Sequence, residues 1–189
     1  MRIATIFAFI AAGMASLALA DSWILKPSTT VHKFKHGLQF EYSVDPIRGG
    51  GWANFEVKIK NGAVVLGRYP GIGYEDLIAS PDENLFLGLS NSGIPGTAVV
   101  VFSSDGHLLL LARHDVVPFD YCDESITIIR TWHGSEKGDV RFENESLGGI
   151  SLLDCHGKRV KLLEIVAEAH SRGQKEYEEW KVRQESSKK

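Results

Sequence analysis

The sequence lacks the signatures of several large functional classes. After residue 20 it has no apolar run of membrane-spanning length, so we expect no stable membrane anchor in the rest of the chain. It has no dense basic patch with interleaved aromatic residues, and its formal net charge is −3, so nucleic-acid binding is not expected. There is no Gly-x-Ser-x-Gly elbow, and the run Gly49-Gly50-Gly51 lacks the Lys-Ser/Thr of a phosphate-binding loop. Nothing in the sequence predicts a cofactor.

Cysteine is also scarce, with only Cys122 and Cys155. Cys122 lies just before the apolar run 126–129, and Cys155 lies at the end of the apolar run 150–153. If these runs pair as antiparallel strands, the two thiols meet. We therefore predict a structural disulfide, which would close a loop of about 34 residues and add about 3–4 kcal/mol in the chain-entropy model.

Residues 1–20 contain the three parts of a secretory signal. Arg2 is their only charge, an apolar run follows it, and Ala18-Leu19-Ala20 places small residues at positions −3 and −1. We predict cleavage before Asp21 and a periplasmic or secreted mature chain, where an oxidising environment preserves a disulfide. The alternative is a membrane anchor, since residues 3–19 are marginally long enough to span a bilayer.

Residues 21–163 are predicted to form a β domain. Leu38, Phe40 and Tyr42 alternate with polar residues, and the run 55–59 does the same, which is typical of half-buried strands. Asn61-Gly62 and Asp105-Gly106 each separate two apolar runs, the strongest short-range signal of a hairpin. The domain is therefore expected to consist of antiparallel hairpins.

The hairpins recur as three loose units. The turn glycines Gly62, Gly106 and Gly157 are spaced 44 and 51 residues apart, each between two apolar runs. Asp82-Glu83-Asn84 and Asp123-Glu124-Ser125 each introduce an apolar run and a longer connection. Repeats of this length predict a mainly β fold, with about three antiparallel hairpin units in an incomplete propeller-like or two-sheet arrangement. A generic hairpin-rich sheet protein is the alternative.

One unit resembles a known repeat. Ser80-Pro81-Asp82, the run 84–88, the run 99–102 and Asp105-Gly106 together resemble a blade of the TolB-type or WD-like β-propellers. The resemblance covers residues 80–111 well and the flanking units poorly, and no Trp-Asp dipeptide closes any unit. It implies an incomplete, propeller-like arrangement of two or three small sheets.

Residues 164–189 differ in composition from the β domain. Ala, Glu, Lys, Gln and Arg dominate, which predicts a C-terminal helix, although Gly173 leaves open a division into two short helices. Residues 184–189 are predicted to be a disordered tail. Tyr177 and Trp180 lie at helical spacing, and we favour their docking on a sheet over an exposed, partner-binding position.

The search for chemistry gives only weak candidates. His32 and His36 are four residues apart but have no partner carboxylate or cysteine nearby in sequence, so no metal site is predicted. His114-Asp115 could hold a base, but neighbours in an extended chain point in opposite directions. The carboxylate pairs at 82–83 and 123–124 occupy equivalent positions in their units, so we predict structural roles in turns. No catalytic residue is assigned.

The loops offer a binding surface instead. Residues 90–96 and 131–149 hold equivalent places in their units, so we expect them to lie on one edge, where loops commonly carry function. The predicted partner-binding residues are Ser90, Asn91, Ser92, Gly93, Ile94, Trp132 and His133. The alternative for Trp132 is a place in the core of a strand.

These observations predict an exported, non-enzymatic protein-binding domain. The chain is broadly similar to bacterial periplasmic immunity proteins and enzyme inhibitors, some of which have propeller-like sheets, with no residue carried over. The similarity implies a protein partner, such as a periplasmic enzyme or toxin, blocked by a projecting loop such as residues 90–93. One alternative is a cell-envelope hydrolase using His114. Another is an envelope-assembly or structural interaction protein that uses the C-terminal helix.

Overall fold

A computed structural model describes residues 27–46, 53–90, 97–113, 123–124, 130–131, 140–153 and 156–186. The strands are β1 (Ser28–Lys33), β2 (Leu38–Pro46), β3 (Ala53–Asn61), β4 (Val64–Pro70), β5 (Asp76–Ala79), β6 (Leu85–Leu89), β7 (Thr97–Ser103), β8 (Leu108–Arg113), β9 (Asp123–Glu124), β10 (Arg130–Thr131), β11 (Arg141–Phe142), β12 (Ile150–Leu153) and β13 (Arg159–Lys161), and the helix α1 is Leu162–Ser186.

The strands form three successive antiparallel sheets in sequence order. The first sheet is β1-β2-β3-β4, the second is β5-β6-β7-β8 and the third is β11-β12-β13, while β9 and β10 pair separately. The predicted mainly β fold with three antiparallel hairpin units and a C-terminal helix is therefore confirmed.

Each predicted turn glycine lies in the last hairpin of its sheet. Gly62, Gly106 and Gly157 have φ values of 57°, 88° and 74°, which are left-handed conformations. They lie between β3 and β4, between β7 and β8, and between β12 and β13. Glycine adopts this conformation without a Cβ clash, so the recurring glycines mark equivalent turns in the three units.

The second sheet is the middle layer. All five residues of β6 are buried, and so are the first six of β7, whereas β4 of the first sheet is largely exposed. A strand whose two faces are both covered needs apolar residues at successive positions, and the sequences LFLGL and TAVVVF supply them. Strands β6 and β7 thus form the centre of the described structure.

Two hydrophobic clusters occupy the two faces of this middle sheet. The cluster between the first and second sheets contains Leu38, Phe40, Val57, Ile59, Ile72, Tyr74, Leu77, Phe86, Val100 and Phe102. The cluster between the second sheet, the third sheet and α1 contains Ile78, Leu85, Leu87, Leu89, Ala98, Val99, Val101, Ala112, Val140, Ile150, Leu152, Leu162, Val166 and Ala169. Successive side chains of β6 point to opposite faces, so Phe86 joins the first cluster and Leu87 the second.

The C-terminal helix decides one alternative that the sequence left open and corrects two predictions. It is one continuous helix through Gly173, and it extends to Ser186, so residues 184–186 are helical and not a disordered tail. Its first half packs against β12 and β13 through Leu162, Val166 and Ala169. Tyr177 and Trp180 are 60% and 52% exposed, so the prediction that they dock on a sheet is wrong. Ala169 is the last described residue of α1 that belongs to a hydrophobic cluster. Within the described residues, no helix has both the length and the apolar composition needed to cross a bilayer.

Candidate functional site

The two ends of the first and second sheets differ in how their strands are joined. At one end, here called the turn end, lie the β1–β2, β3–β4, β5–β6 and β7–β8 connections. At the other, here called the loop end, segments 47–52 and 91–96, both outside the described residues, join β2 to β3 and β6 to β7. The predicted binding loop 90–96 therefore starts and finishes at the loop end. Strand β6 separates the ends by roughly 17 Å.

The turn end is held together by hydrogen bonds between neighbouring turns. Gly62 N–H donates to the Gly37 carbonyl, and Ser104 N–H donates to the Asn84 carbonyl. Lys35 N–H donates to the Glu83 carboxylate over 2.7 Å, which links the first and second sheets. These bonds satisfy backbone groups that turns leave unpaired, so the turn end is a fixed scaffold.

The turn carboxylates act in the same scaffold. The Ser80 hydroxyl donates to the Asp82 carboxylate, which also accepts from Asn84 N–H. These hydrogen bonds, with the Ser80 bond the strongest cause, lower the pKa of Asp82. Similarly, the Ser103 hydroxyl donates to Asp105 and lowers its pKa. The structural role predicted for Asp82 agrees with these contacts.

A pair of tyrosines joins the first and second sheets at the loop end. The rings of Tyr42 on β2 and Tyr74 before β5 stack with centroids 5.0 Å apart and an interplanar angle of 28°. Phe55 stacks on the other side of Tyr42, with centroids 6.2 Å apart. Tyr74 is 1% exposed, and its hydroxyl has no hydrogen-bond partner within the described part of the chain. The rings of Phe55, Tyr42 and Tyr74 thus form an aromatic stack at the loop end.

The backbone of β6 lies directly against this aromatic stack at Gly88. A Cβ at Gly88 would lie 2.6 Å from Val100 Cγ1 and 3.1 Å from Tyr74 Cβ, inside the contact distance of real side chains. Only glycine lets the Tyr74 ring rest directly on the strand. Gly73 N–H next to it donates to the buried Thr97 hydroxyl at 3.3 Å. Thr97 begins β7, so this bond ties the β4–β5 connection to one base of the loop 90–96.

The other base of this loop is Ser90. Its side chain is fully buried, and its N–H donates to the Ala98 carbonyl at 3.1 Å. Ser90 therefore anchors the loop, while Asn91, Ser92, Gly93 and Ile94 lie outside the described residues and remain predicted contacts. Trp132, His133, Cys122 and Cys155 also lie outside the described residues, so those binding positions and the disulfide stay predictions.

The other predicted loop, residues 131–149, is described from residue 140 onward. Glu143 N–H donates to the Gly149 carbonyl, and Ser146 N–H donates to the Asn144 side chain at 3.1 Å. Glu145 also contributes, as a minor cause, to the lowered pKa of Asp82, so its side chain lies near the β5–β6 turn. Residues 91–96 and 132–139 lie outside the described residues, so the common edge expected for the two loops stays a prediction.

The histidine candidates are separated in the fold. His32 is on β1, opposite Phe40 and 6.0 Å from the Tyr74 ring, whereas His36 lies in the following turn with φ 54°. The two therefore do not share a strand face. His107 is exposed in the β7–β8 turn beside Asp105, and His114 lies outside the described residues. Among the described residues, no three His, Cys, Asp or Glu side chains are grouped as they would be to hold a metal ion.

Burial raises the pKa of both tyrosines of the pair, Tyr42 and Tyr74. Burial, together with the charge of Glu75, raises the pKa of Tyr42. Burial also raises the pKa of Tyr74, with Tyr42 as the second cause. Both phenols should stay neutral in the folded chain at pH values where an unperturbed tyrosine ionises, near about 10.

We therefore expect alkaline titration to unfold the chain and to ionise these two phenols together. The neutral phenols contribute stability that is fully present below about pH 10 and is lost as the pH rises through the raised folded-state pKa values. Tyrosinate absorbance should show a late step that coincides with loss of the circular dichroism of the sheets. In the double variant Tyr42→Phe/Tyr74→Phe this late step should disappear. One reversible step that includes all five tyrosines with the fold intact would contradict the burial.

The sequence alone does not predict the aromatic stack at the loop end. In the sequence, Tyr42 stands out only as an alternating strand residue, and no motif marks Tyr74. Gly88 inside the apolar run 85–89 was the available signal, because glycine in a strand interior often marks a close approach by another group. Its partner could not be read from the sequence.

Comparison of the chain with protein-family models, curated proteins and solved structures gives no match.

Proposed function

We propose that this protein is an exported, non-enzymatic binding domain that blocks a protein partner, in the manner of an inhibitor or immunity protein, with its loop end. The observation that carries the proposal is the double anchoring of the loop 90–96. Ser90 and Thr97 are both buried, and each is hydrogen-bonded into the sheet framework. A loop with fixed bases loses less conformational entropy when it binds, which favours affinity.

The position of the loop in the fold supports this proposal. The loop leaves the middle sheet, whose strands β6 and β7 are buried on both faces. It also starts beside the stacked rings of Tyr42 and Tyr74, which join two sheets at that end. Binding residues are commonly carried by loops held on a rigid scaffold. The hydrolase alternative depends on His114, which lies outside the described residues, and no described contact supports it.

The proposed partner is a periplasmic enzyme or toxin, and affinity capture tests this. Tagged full-length chain should recover an enzyme from a periplasmic extract of the source organism, and the purified chain should reduce that enzyme's activity at equimolar ratio. The triple variant Asn91→Ala/Ser92→Ala/Ile94→Ala should bind at least tenfold more weakly, because a few central residues dominate most interfaces.

The matched control is His107→Ala. This side chain is 76% exposed and lies at the turn end, so its loss should leave capture unchanged. If no enzyme is recovered under conditions that retain known complexes, the proposal fails. If the His107 substitution weakens capture and the loop substitutions do not, the interface lies at the turn end and the proposal is wrong.

A further inference from the structure

The second half of α1 presents an aromatic face that nothing described in this chain covers. Val166, Gly173 and Trp180 are seven residues apart, close to two helical turns each, so they share one face. This face packs on the second hydrophobic cluster at Val166 and Ala169. Further along, Trp180 and Tyr177 are about half exposed and stack on each other with centroids 6.0 Å apart. The helix face that is buried at Val166 and Ala169 thus continues, exposed, for about two turns beyond Gly173.

Acidic residues predominate just before Trp180, and basic residues just after it. Glu176, Glu178 and Glu179 precede it and Lys181 and Arg183 follow it, all of them exposed, whereas Lys175 and Glu185 break this order farther out. A second copy of this helix segment, running antiparallel to the first, would place its basic residues beside the acidic residues of the first copy. Antiparallel helices also oppose their macrodipoles, which favours the pairing.

We propose that two copies of this chain associate through an antiparallel pairing of their α1 helices, centred on Trp180. In such a pair, helix positions that lie on one side of the contact face meet the same side of the partner helix. Glu176 and Arg183 are seven residues apart, so they lie on the same side of the Tyr177–Trp180 face. With the crossing at residues 179–180, Glu176 of each copy lies level with Arg183 of the other.

The size of the contact predicts a weak association. The helix beyond Gly173 is about 13 residues long, or roughly 20 Å, so the paired surface is smaller than a standard stable interface. The dimer should therefore form reversibly in the micromolar range and dissociate on dilution. None of the residues of this surface belongs to the loop 90–96, so the inference stands or falls independently of the proposed inhibitor function.

Sedimentation equilibrium of the purified full chain tests the pairing over a range of concentrations from low to high micromolar. The unaltered chain should show a monomer–dimer equilibrium. Tyr177→Ala/Trp180→Ala should weaken it at least tenfold, and the circular dichroism of this variant should stay unchanged because both side chains are largely exposed.

Charge exchange makes the test specific for the antiparallel register. Glu176→Arg should weaken the dimer because two arginines then face each other, and Glu176→Arg/Arg183→Glu should restore it. Lys175→Glu is the control, since Lys175 lies on the opposite side of the helix from the aromatic face and should not alter the equilibrium. A chain that stays monomeric at high micromolar concentration would overturn the proposal. A dimer that is unaffected by the aromatic substitutions, or that the charge exchange does not restore, would also overturn it.

Discussion

Replacing Phe86 by Ala should lower the free energy of unfolding by about 3–5 kcal/mol, a loss comparable with the whole stability of many single domains. Phe86 is fully buried between the first and second sheets. Its ring lies 4.6 Å from that of Phe40 on β2 and 4.7 Å from that of Phe34, centroid to centroid. Its removal leaves a cavity that both sheets line, because rigid strands cannot collapse to fill it.

Two variants on the same sheet make this result diagnostic. Leu87→Ala should cost a similar amount, about 2–5 kcal/mol, because Leu87 faces the other cluster, beneath the third sheet and α1. Leu109→Ala on β8 should cost about 0.5 kcal/mol, since this side chain is 40% exposed. Urea unfolding followed by circular dichroism measures all three. If Phe86→Ala or Leu87→Ala matches Leu109→Ala, the second sheet is not covered on both faces.

Replacing Gly106 by Ala should destabilise the fold by about 2–4 kcal/mol, far more than the same change at either equivalent glycine. Gly106 combines a left-handed φ of 88° with a packed environment, since an added Cβ would lie 2.6 Å from Leu66 Cβ and 3.0 Å from the Leu66 carbonyl carbon. The Tyr69 hydroxyl also donates to the Gly106 carbonyl. The β7–β8 turn is therefore pressed against β4 of the preceding sheet.

Gly62 and Gly157 provide the matched comparison. Both have positive φ, but a Cβ at either one would meet no atom of the described residues within 4 Å. Gly62→Ala and Gly157→Ala should therefore cost only the backbone strain, about 1 kcal/mol. The difference in unfolding free energy between Gly106→Ala and these two variants measures the packing of one unit against the next. Equal losses at all three glycines would show that the β7–β8 turn does not contact β4.

The repeating hairpins could be predicted because their signals are local. Alternation at Phe40 and Tyr42 marks a strand with one buried face, and Asn61-Gly62 requires a turn whatever the rest of the chain does. The contrast between alternating residues in β2 and β3 and unbroken apolar residues in β6 and β7 also identifies the doubly covered sheet. Each of these inferences depends on neighbours in sequence.

The features that sequence reasoning missed depend on where separate elements end. Tyr177 and Trp180 share a helix face with Val166, so periodicity alone predicts that they are buried with it. They are exposed because they lie beyond Ala169, the last described residue of α1 in a hydrophobic cluster, and the point where such packing ends leaves no mark in the helix sequence. The stack of Tyr42 on Tyr74 likewise depends on how two sheets pack, which no local pattern encodes.

We propose that the loop end of the stacked sheets contacts the partner. A photo-crosslinking residue placed at Glu75, which is exposed at the loop end, tests this against one placed at Asp105, which is exposed at the turn end. After capture from a periplasmic extract, the chain labelled at position 75 should form a covalent adduct with the recovered enzyme, and the chain labelled at position 105 should not. Adducts at position 105 with none at position 75 would contradict the account.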